Sequence, residues 1–379
     1  MEPRNIYGLS KTIALIQSPA KNKSTPTIDE RLTENGDDLY LSLLYSHPEN
    51  PDILGRPFSG LIKHAHILTA YLNTPTIKID QNNRIKPQLL TALSNDHFKE
   101  HVANSVQLFK LFPDQQVCIF DIGLSNSQAA YFKNSTKYIY KKFNFTKYHE
   151  KTVYLTGMSW KVFVHMECLM EFGACQWFDA SILFTTNIDK ILNEYVYERN
   201  SSFVYYIRPA GHTTPWATHP FMFSYLPSNI TKMNSKMYKM PQSGAQILFN
   251  TDELKNKFMK WAISCALTPE CMFPNYELNE VRIPFGTRFN PYGTFEHKHC
   301  SSENNALRPF NCHRFDQSLF AILAQNMYGY DLSKYRTLKD EWPATPDRTA
   351  AKRFNDLGVK EILQNVGKAE TKTETIQKV

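Results

Sequence analysis

The chain has 379 residues, 42% of them hydrophobic, enough for one large domain or two smaller ones around a sizeable core. Its formal net charge of +7 comes from scattered basic residues, which form no nucleic-acid footprint and give only a weak bias toward anionic ligands. No apolar run approaches the ~18 residues of a membrane helix, and the patch 12–16 is too short for the apolar core of a signal peptide.

Residues 1–55 are polar and poor in periodicity, and 18–38 reads as a disordered or stem-like segment. Order is expected to begin near Phe58. Residues 66–71 and 76–79 read as short strands, and 89–93 as another. Ser94, Asn95 and Asp96 then offer caps to a helix whose stripe is Phe98, Val102, Val106, Phe109 and Leu111. Residues 117–124 form an apolar strand running into a glycine turn, followed by a helix at 126–133 and a strand at 138–143. From Ser159, read as an N-cap, a helix carries Val162, Phe163, Met166, Leu169 and Met170, and Gly173 is placed to close it in a left-handed turn. Residues 175–178 are then a buried strand that ends at Asp179. Strand and helix alternate from about 87 to 184, which predicts a mostly parallel, doubly wound sheet. Ligands of such sheets gather at the carboxyl ends of strands. Asp179, followed by the small Ala180 and Ser181, therefore stands where a metal ion or a sugar hydroxyl can be held. The local alternative is that it caps the next turn.

The second half is less regular. Ile188, Ile191, Leu192 and Tyr195 mark an amphipathic helix, 203–207 a strand, and 211–220 a loop rich in polar and aromatic groups around Trp216. After a strand at 245–249, Asn250 and Glu253 have the spacing of a capping box. The helix that follows shows Leu254, Phe258, Trp261 and Cys265 on one face and stops before Pro269. Another starts near Asp316 and runs through Leu319, Phe320 and Leu323, and 336–379 reads as a charged, disordered tail. Of the cysteines, Cys265 with Cys271 and Cys300 with Cys312 are the pairings expected in an oxidising lumen, with Cys118 a free core thiol. Sequons at Asn22, Asn134, Asn144, Asn200 and Asn229 point the same way, toward the secretory pathway. The lack of a visible signal points against it.

Several stretches occur in a telling order: LLTALSNDHF, VCIFDIGLS, FNFTKY, SWKVFV, QWFDASILF, SGAQILFNT, WAISCALTPECMFP and HRFDQSLFAIL. In these the chain resembles, over 85–330, a nematode-type family of uncharacterised function that itself looks like the GT-A class of nucleotide-sugar glycosyltransferases. The resemblance implies a Rossmann-like three-layer α/β/α domain over 56–335, in the lumen of the Golgi or secreted. It implies a nucleotide-diphosphate sugar donor and a glycan or protein hydroxyl as acceptor. Ser94, Asn95 and Asp121 would stand near the nucleotide, with Lys161 or Arg314 on phosphate oxygens. Ser243 and Gly244 would let backbone approach the sugar. Asp179 and His313 would hold a divalent cation, Mn²⁺ or Mg²⁺, against the charge that builds on the leaving diphosphate. Asp316, with Gln317 beside it, would take the acceptor proton. One departure is plain: Phe178-Asp179-Ala180-Ser181 carries one acid where an Asp-x-Asp motif carries two. Two other readings compete. Glu296, His297, His299 and Cys300 with His313 suggest a zinc site. A non-catalytic carbohydrate-binding protein would keep the scaffold and the loop around Trp216 and drop the chemistry.

Overall fold

The computed structural model of the chain describes residues 44–82, 84–273, 313–338, 341–347 and 349–354. A short hairpin, β1 (Ser46–His47) and β2 (Asn50–Leu54), leads to helix α1 (Leu61–Leu72). Strand β3 (Gln88–Leu93), helix α2 (Phe98–Leu111), strand β4 (Val117–Asp121), helix α3 (Asn126–Lys133) and strand β5 (Tyr138–Lys142) then alternate. Helix α4 (Ser159–Phe172), strand β6 (Ala174–Phe178) and the short β7 (Ile182–Phe184) follow. After a helix over 189–198 come β8 (Phe203–Tyr205), β9 (Ala245–Phe249), helix α5 (Lys260–Leu267), helix α6 (Phe315–Met327), strand β10 (Ala344–Pro346) and helix α7 (Ala350–Arg353). The main sheet has six strands in the order β5-β4-β3-β6-β9-β8. Pairing is parallel from β5 to β6, and β9 alone runs against its neighbours β6 and β8. The fold is thus the expected α/β one, with a mostly parallel sheet.

Side chains alternate across the sheet, so each strand feeds two cores. Leu90, Cys118, Phe120, Cys175, Trp177, Tyr205 and Leu248 pack on one face against α1, α4, α5 and α6. Leu89, Val117, Ile119, Ala174, Phe178, Val204 and Ile247 pack on the other, against α2, α3, the 189–198 helix and α7. With both faces covered, the central strands read as continuous apolar runs: every residue of β4 and of β6 is buried.

Several expectations are corrected. Residues 66–71 lie in a helix, α1, whose buried Leu61, Leu68 and Tyr71 recur at helical spacing that a six-residue window hides. Residues 76–79 join no strand. Ser159 does not cap α4. Met158 stands at that position at φ 58°, and no side chain caps the helix. The capping residue after β9 is Thr251, whose Oγ1 accepts from the Leu254 N–H, while Asn250 accepts from the Tyr71 hydroxyl at 2.7 Å. At both ends the folded part reaches into stretches read as disordered. The hairpin β1–β2 falls before residue 56, and β10 pairs antiparallel with β7 while Ala350 and Phe354 join the core beyond residue 336. Gly173 does close α4 at φ 73°, and Cys168–Cys175 is bonded across that turn, a pair not expected from spacing. Cys265–Cys271 is bonded as expected, and Cys118 is a free, buried thiol. Cys300, Cys312 and the segment with Glu296, His297 and His299 lie outside the described residues. Trp216 is fully buried with His212 stacked on it at 4.6 Å, so its ring is not open to a carbohydrate.

Candidate functional site

Strands β3, β4 and β6 are mutually parallel, so their carboxyl ends share one edge of the sheet, and the antiparallel β9 begins there. That edge carries Ser94 and Asn95, Asp121, Asp179, and Ser243 with Gly244. Asp121 and Asp179 thus share an edge, as the strand-helix alternation predicts.

The two aspartates differ in what surrounds them. Asp121 is buried and fully engaged. Its Oδ1 accepts from the backbone N–H groups of Gly123 (2.9 Å) and Leu124 (2.8 Å). Its Oδ2 accepts from the Tyr140 hydroxyl (2.6 Å) and the Lys142 ammonium (2.9 Å). Burial opposes its ionisation, but these donors, Tyr140 first among them, hold the carboxyl below its ordinary range. The Asn95 N–H donates to Gly123 O at 3.0 Å, and its side-chain oxygen accepts from Gln128 at 2.8 Å. Ser94 makes no capping hydrogen bond. Asp121 and Asn95 therefore tie the β3 and β4 turns together.

Asp179 belongs to a second cluster, built around Lys161. This lysine lies in the first turn of α4, where the helix dipole disfavours a cation, and its side chain is only 3% exposed. Its Nζ reaches Asp179 Oδ1 at 3.1 Å, Asp316 Oδ2 at 3.0 Å and Ser243 O at 2.8 Å. Burial alone would lower its pKa, yet Asp179 and then Asp316 raise it overall, so it is an ammonium ion. The Trp177 indole donates to Asp179 Oδ1 at 2.9 Å, and its ring centroid lies 4.7 Å from the Lys161 Nζ. Asp316, in the first turn of α6, suits that helix dipole and accepts from the Ser243 hydroxyl at 2.6 Å. Asp179 Oδ1 is thus fixed, while the side chain as a whole is 43% exposed. Its own N–H donates to Gly244 O at 2.8 Å.

The other expected site residues serve the frame. Gln317 donates to Pro241 O at 2.9 Å. The Arg314 N–H donates to Ala217 O at 3.0 Å, and its guanidinium weighs on the His212 imidazole. His313 Nδ1 accepts from the His219 N–H at 3.1 Å, and its Nε2 faces Met272 O at 3.2 Å. Burial pushes this imidazole down to about 4, so it is neutral with both nitrogens in use. A divalent ion held by Asp179 and His313 therefore does not fit. His313 has no lone pair to give, and the Lys161 ammonium already lies between Asp179 and Asp316. Among the described residues no three His, Cys, Asp or Glu side chains are placed to hold a metal.

Sequence reasoning did not reach the indole of Trp177, the pair Tyr140 and Lys142, or His97. The His97 pKa is raised first by its hydrogen bond to Glu100 and further by the charge of Asp179. A signal existed for two of these. Trp177 and Asp179 are two apart at the end of a strand, as are Tyr140 and Lys142, and such residues share a face.

Gly244 supplies a test of the packing. A Cβ there would lie 3.1 Å from Asp179 Oδ2, and that carboxylate cannot swing because Oδ1 is held. Gly244→Ala is expected to cost about 1–3 kcal/mol, as overpacking does. In an Asp179→Ala background the cost should nearly vanish. Urea denaturation of the four proteins reads both numbers, and an equal cost in the two backgrounds would show that the carboxylate is not the obstacle.

Residues 34–165 match a family described as Protein of unknown function (DUF1647). No curated protein matches the chain by sequence. Among solved structures the chain is similar to the galactosyltransferase LgtC in complex with donor and acceptor sugar analogs, at 9% identity and a TM-score of 0.33, over 72% of this chain and 95% of that one. It is similar to the mannosyltransferase Ktr4p from S. cerevisiae in complex with GDP, at 10% identity and a TM-score of 0.31, over 70% and 78%. It is also similar to mouse xyloside xylosyltransferase 1, at 12% identity and a TM-score of 0.29, over 67% and 85%. At these TM-scores the likeness carries no functional weight.

Proposed function

We propose that this chain is a glycosyltransferase that moves a sugar from a nucleotide-diphosphate donor to a hydroxyl of a glycan or glycoprotein. The observation that carries this reading is Asp179: a half-exposed carboxylate at the carboxyl end of β6, with one oxygen fixed by Lys161 and Trp177. In an open α/β sheet that edge is where ligands bind, and a pre-oriented carboxylate oxygen suits a sugar hydroxyl. The order of motifs shared with a nematode-type, GT-A-like family supports the same reading. In this reading Ser94, Asn95 and His97, which follow the carboxyl end of β3, would face the nucleotide. Asp316, 9% exposed and already bonded to Lys161 and Ser243, positions Lys161 in this reading and is not the first choice of base. Two disulfides among the described residues support an oxidising compartment, the secretory lumen or the outside of the cell.

One observation favours a second reading, a carbohydrate-binding protein without transferase activity: of the three charged groups in the Lys161 cluster, only Asp179 is open to a ligand. A thermal-shift titration against a panel of nucleotide-sugars tests the first reading, followed by an assay for donor hydrolysis. The wild type should be stabilised by one donor. Asp179→Asn should lose roughly 10- to 100-fold in affinity, since hydrogen bonds to charged groups contribute about 1.5–3 kcal/mol. Its melting temperature without ligand should barely move, because Lys161 keeps Asp316 and Ser243. Binding without hydrolysis would favour the carbohydrate-binding reading, and no response to any donor would sink the transferase.

A further inference from the structure

We propose that Lys161 fills, with its own ammonium, the place a divalent ion takes between paired carboxylates, so that this site binds its donor without a metal. The inference rests on the transferase reading and says how that site handles charge. An ammonium has three N–H donors, and Lys161 has three acceptors around it: Asp179 Oδ1 at 3.1 Å, Asp316 Oδ2 at 3.0 Å and Ser243 O at 2.8 Å. The cation is therefore saturated and cannot turn away without leaving Asp316, 9% exposed, as a buried, unpaired charge.

A magnesium ion needs a near-octahedral shell of oxygens at about 2.0–2.1 Å, and calcium needs more ligands at slightly longer range. An ion bridging Asp179 and Asp316 would have to occupy the volume of the Lys161 Nζ. The Trp177 indole takes a further share of Asp179 Oδ1. What is left is Asp179 Oδ2, one oxygen of a carboxylate already paired with an ammonium. Even with phosphate oxygens to complete its shell, a cation is drawn only weakly to such a group. A neutral hydroxyl is a better match: it donates one hydrogen bond and requires no net charge. The geometry therefore assigns Asp179 to recognition of a sugar hydroxyl. Gly244 keeps the space beside Oδ2 clear, since a Cβ there would lie 3.1 Å from that oxygen.

The test uses the full chain and needs no known donor for its first arm. Wild-type protein titrated with Mn²⁺ alone, read by thermal shift and by the electron paramagnetic resonance signal of free Mn²⁺, should show no saturable binding that Asp179→Asn removes. Lys161→Met should open the carboxylate pair and create a Mn²⁺ site. Its melting temperature should rise by several degrees with the ion, and the added Asp179→Asn change should abolish the rise. In the second arm, the nucleotide-sugar that stabilises the wild type should do so equally with Mn²⁺ and with EDTA. Saturable Mn²⁺ binding to the wild type that depends on Asp179 would overturn the proposal. So would loss of the donor response in EDTA, or a folded Lys161→Met protein blind to Mn²⁺. If Lys161→Met does not fold, the wild-type arms decide alone. If no nucleotide-sugar binds, the transferase reading fails, while the Mn²⁺ arm still judges the role of Lys161.

Discussion

Lowering the pH from 7.5 to 5 should unfold this protein. Burial holds four imidazoles far below the ordinary histidine value: His101 and His219 are pushed down to about 3, and His212 and His313 to about 4. A fifth, His165, is lowered by burial and by the nearby Lys161 charge, and its two ring nitrogens have no hydrogen-bond partner. The sign follows from linkage. A histidine whose folded pKa is depressed contributes stability that is fully present above the unfolded value near 6.5. That contribution is lost as pH falls from there toward the folded value. At pH 5 the unfolded chain has bound about 1.5 pH units' worth of proton free energy per site, or roughly 2 kcal/mol. The four sites at about 3 to 4 together lose on the order of 8 kcal/mol, within the range of the whole stability of a typical domain, and His165 acts in the same sense. His97 acts in the opposite sense, because its raised value favours the folded form once protonated, but it is one exposed group against five buried ones. Melting temperature measured from pH 8 to pH 4.5 reads the effect. A change of only a few degrees between pH 7.5 and 5 would refute the account. His165→Leu should make the profile shallower, since it removes one titration from a site packed between Trp177 and Phe320.

The features legible in the sequence are those set by neighbours along the chain. The strand at 245–249 and the helix at 126–133 match the structure to the residue, because both are short patterns bounded by strong turn or cap signals. Gly173 announces the end of α4 for the same reason. The placing of Asp179 at a strand's carboxyl end also follows locally, from an apolar run that stops at an acid. What the residue does there is decided by Lys161 one element earlier and by Asp316 far along the chain. No local period links those positions. His313 shows the same limit: its neighbours in sequence leave it open as a ligand, while His219 and Met272, brought in by the fold, use both its nitrogens. The exchange of Asn250 for Thr251 as a cap has a physical reason too. Either side chain can cap, and Tyr71, from α1, engages Asn250.

Lys161→Met should cost about 3–5 kcal/mol, the penalty for removing one partner of a buried ion pair. Methionine matches the lysine stem as far as Cε, so the packing along the stem is kept and the loss reports chiefly the missing ammonium. The carboxylate most affected is Asp316, which keeps only the Ser243 hydroxyl among the partners given above. Asp179 is spared, being half exposed and still bonded to Trp177. The pH dependence separates this from ordinary packing loss. The Lys161 pKa is raised in the folded state, so its contribution is fully present below the unfolded value near 10.4. It is lost only as pH rises through the higher folded value. The gap between wild type and Lys161→Met should therefore be flat from pH 7 to pH 9 and narrow only in strong alkali. A second substitution tests the cause. Asp316→Leu added to Lys161→Met removes the orphaned carboxylate, and replacing a buried pair by apolar groups is often neutral or stabilising. The double variant should recover most of the loss in guanidinium denaturation. A Lys161→Met protein within about 1 kcal/mol of the wild type, the upper range for an exposed ion pair, would mean that the cluster is open to water, and the buried ammonium could then no longer be credited with the place of a metal ion.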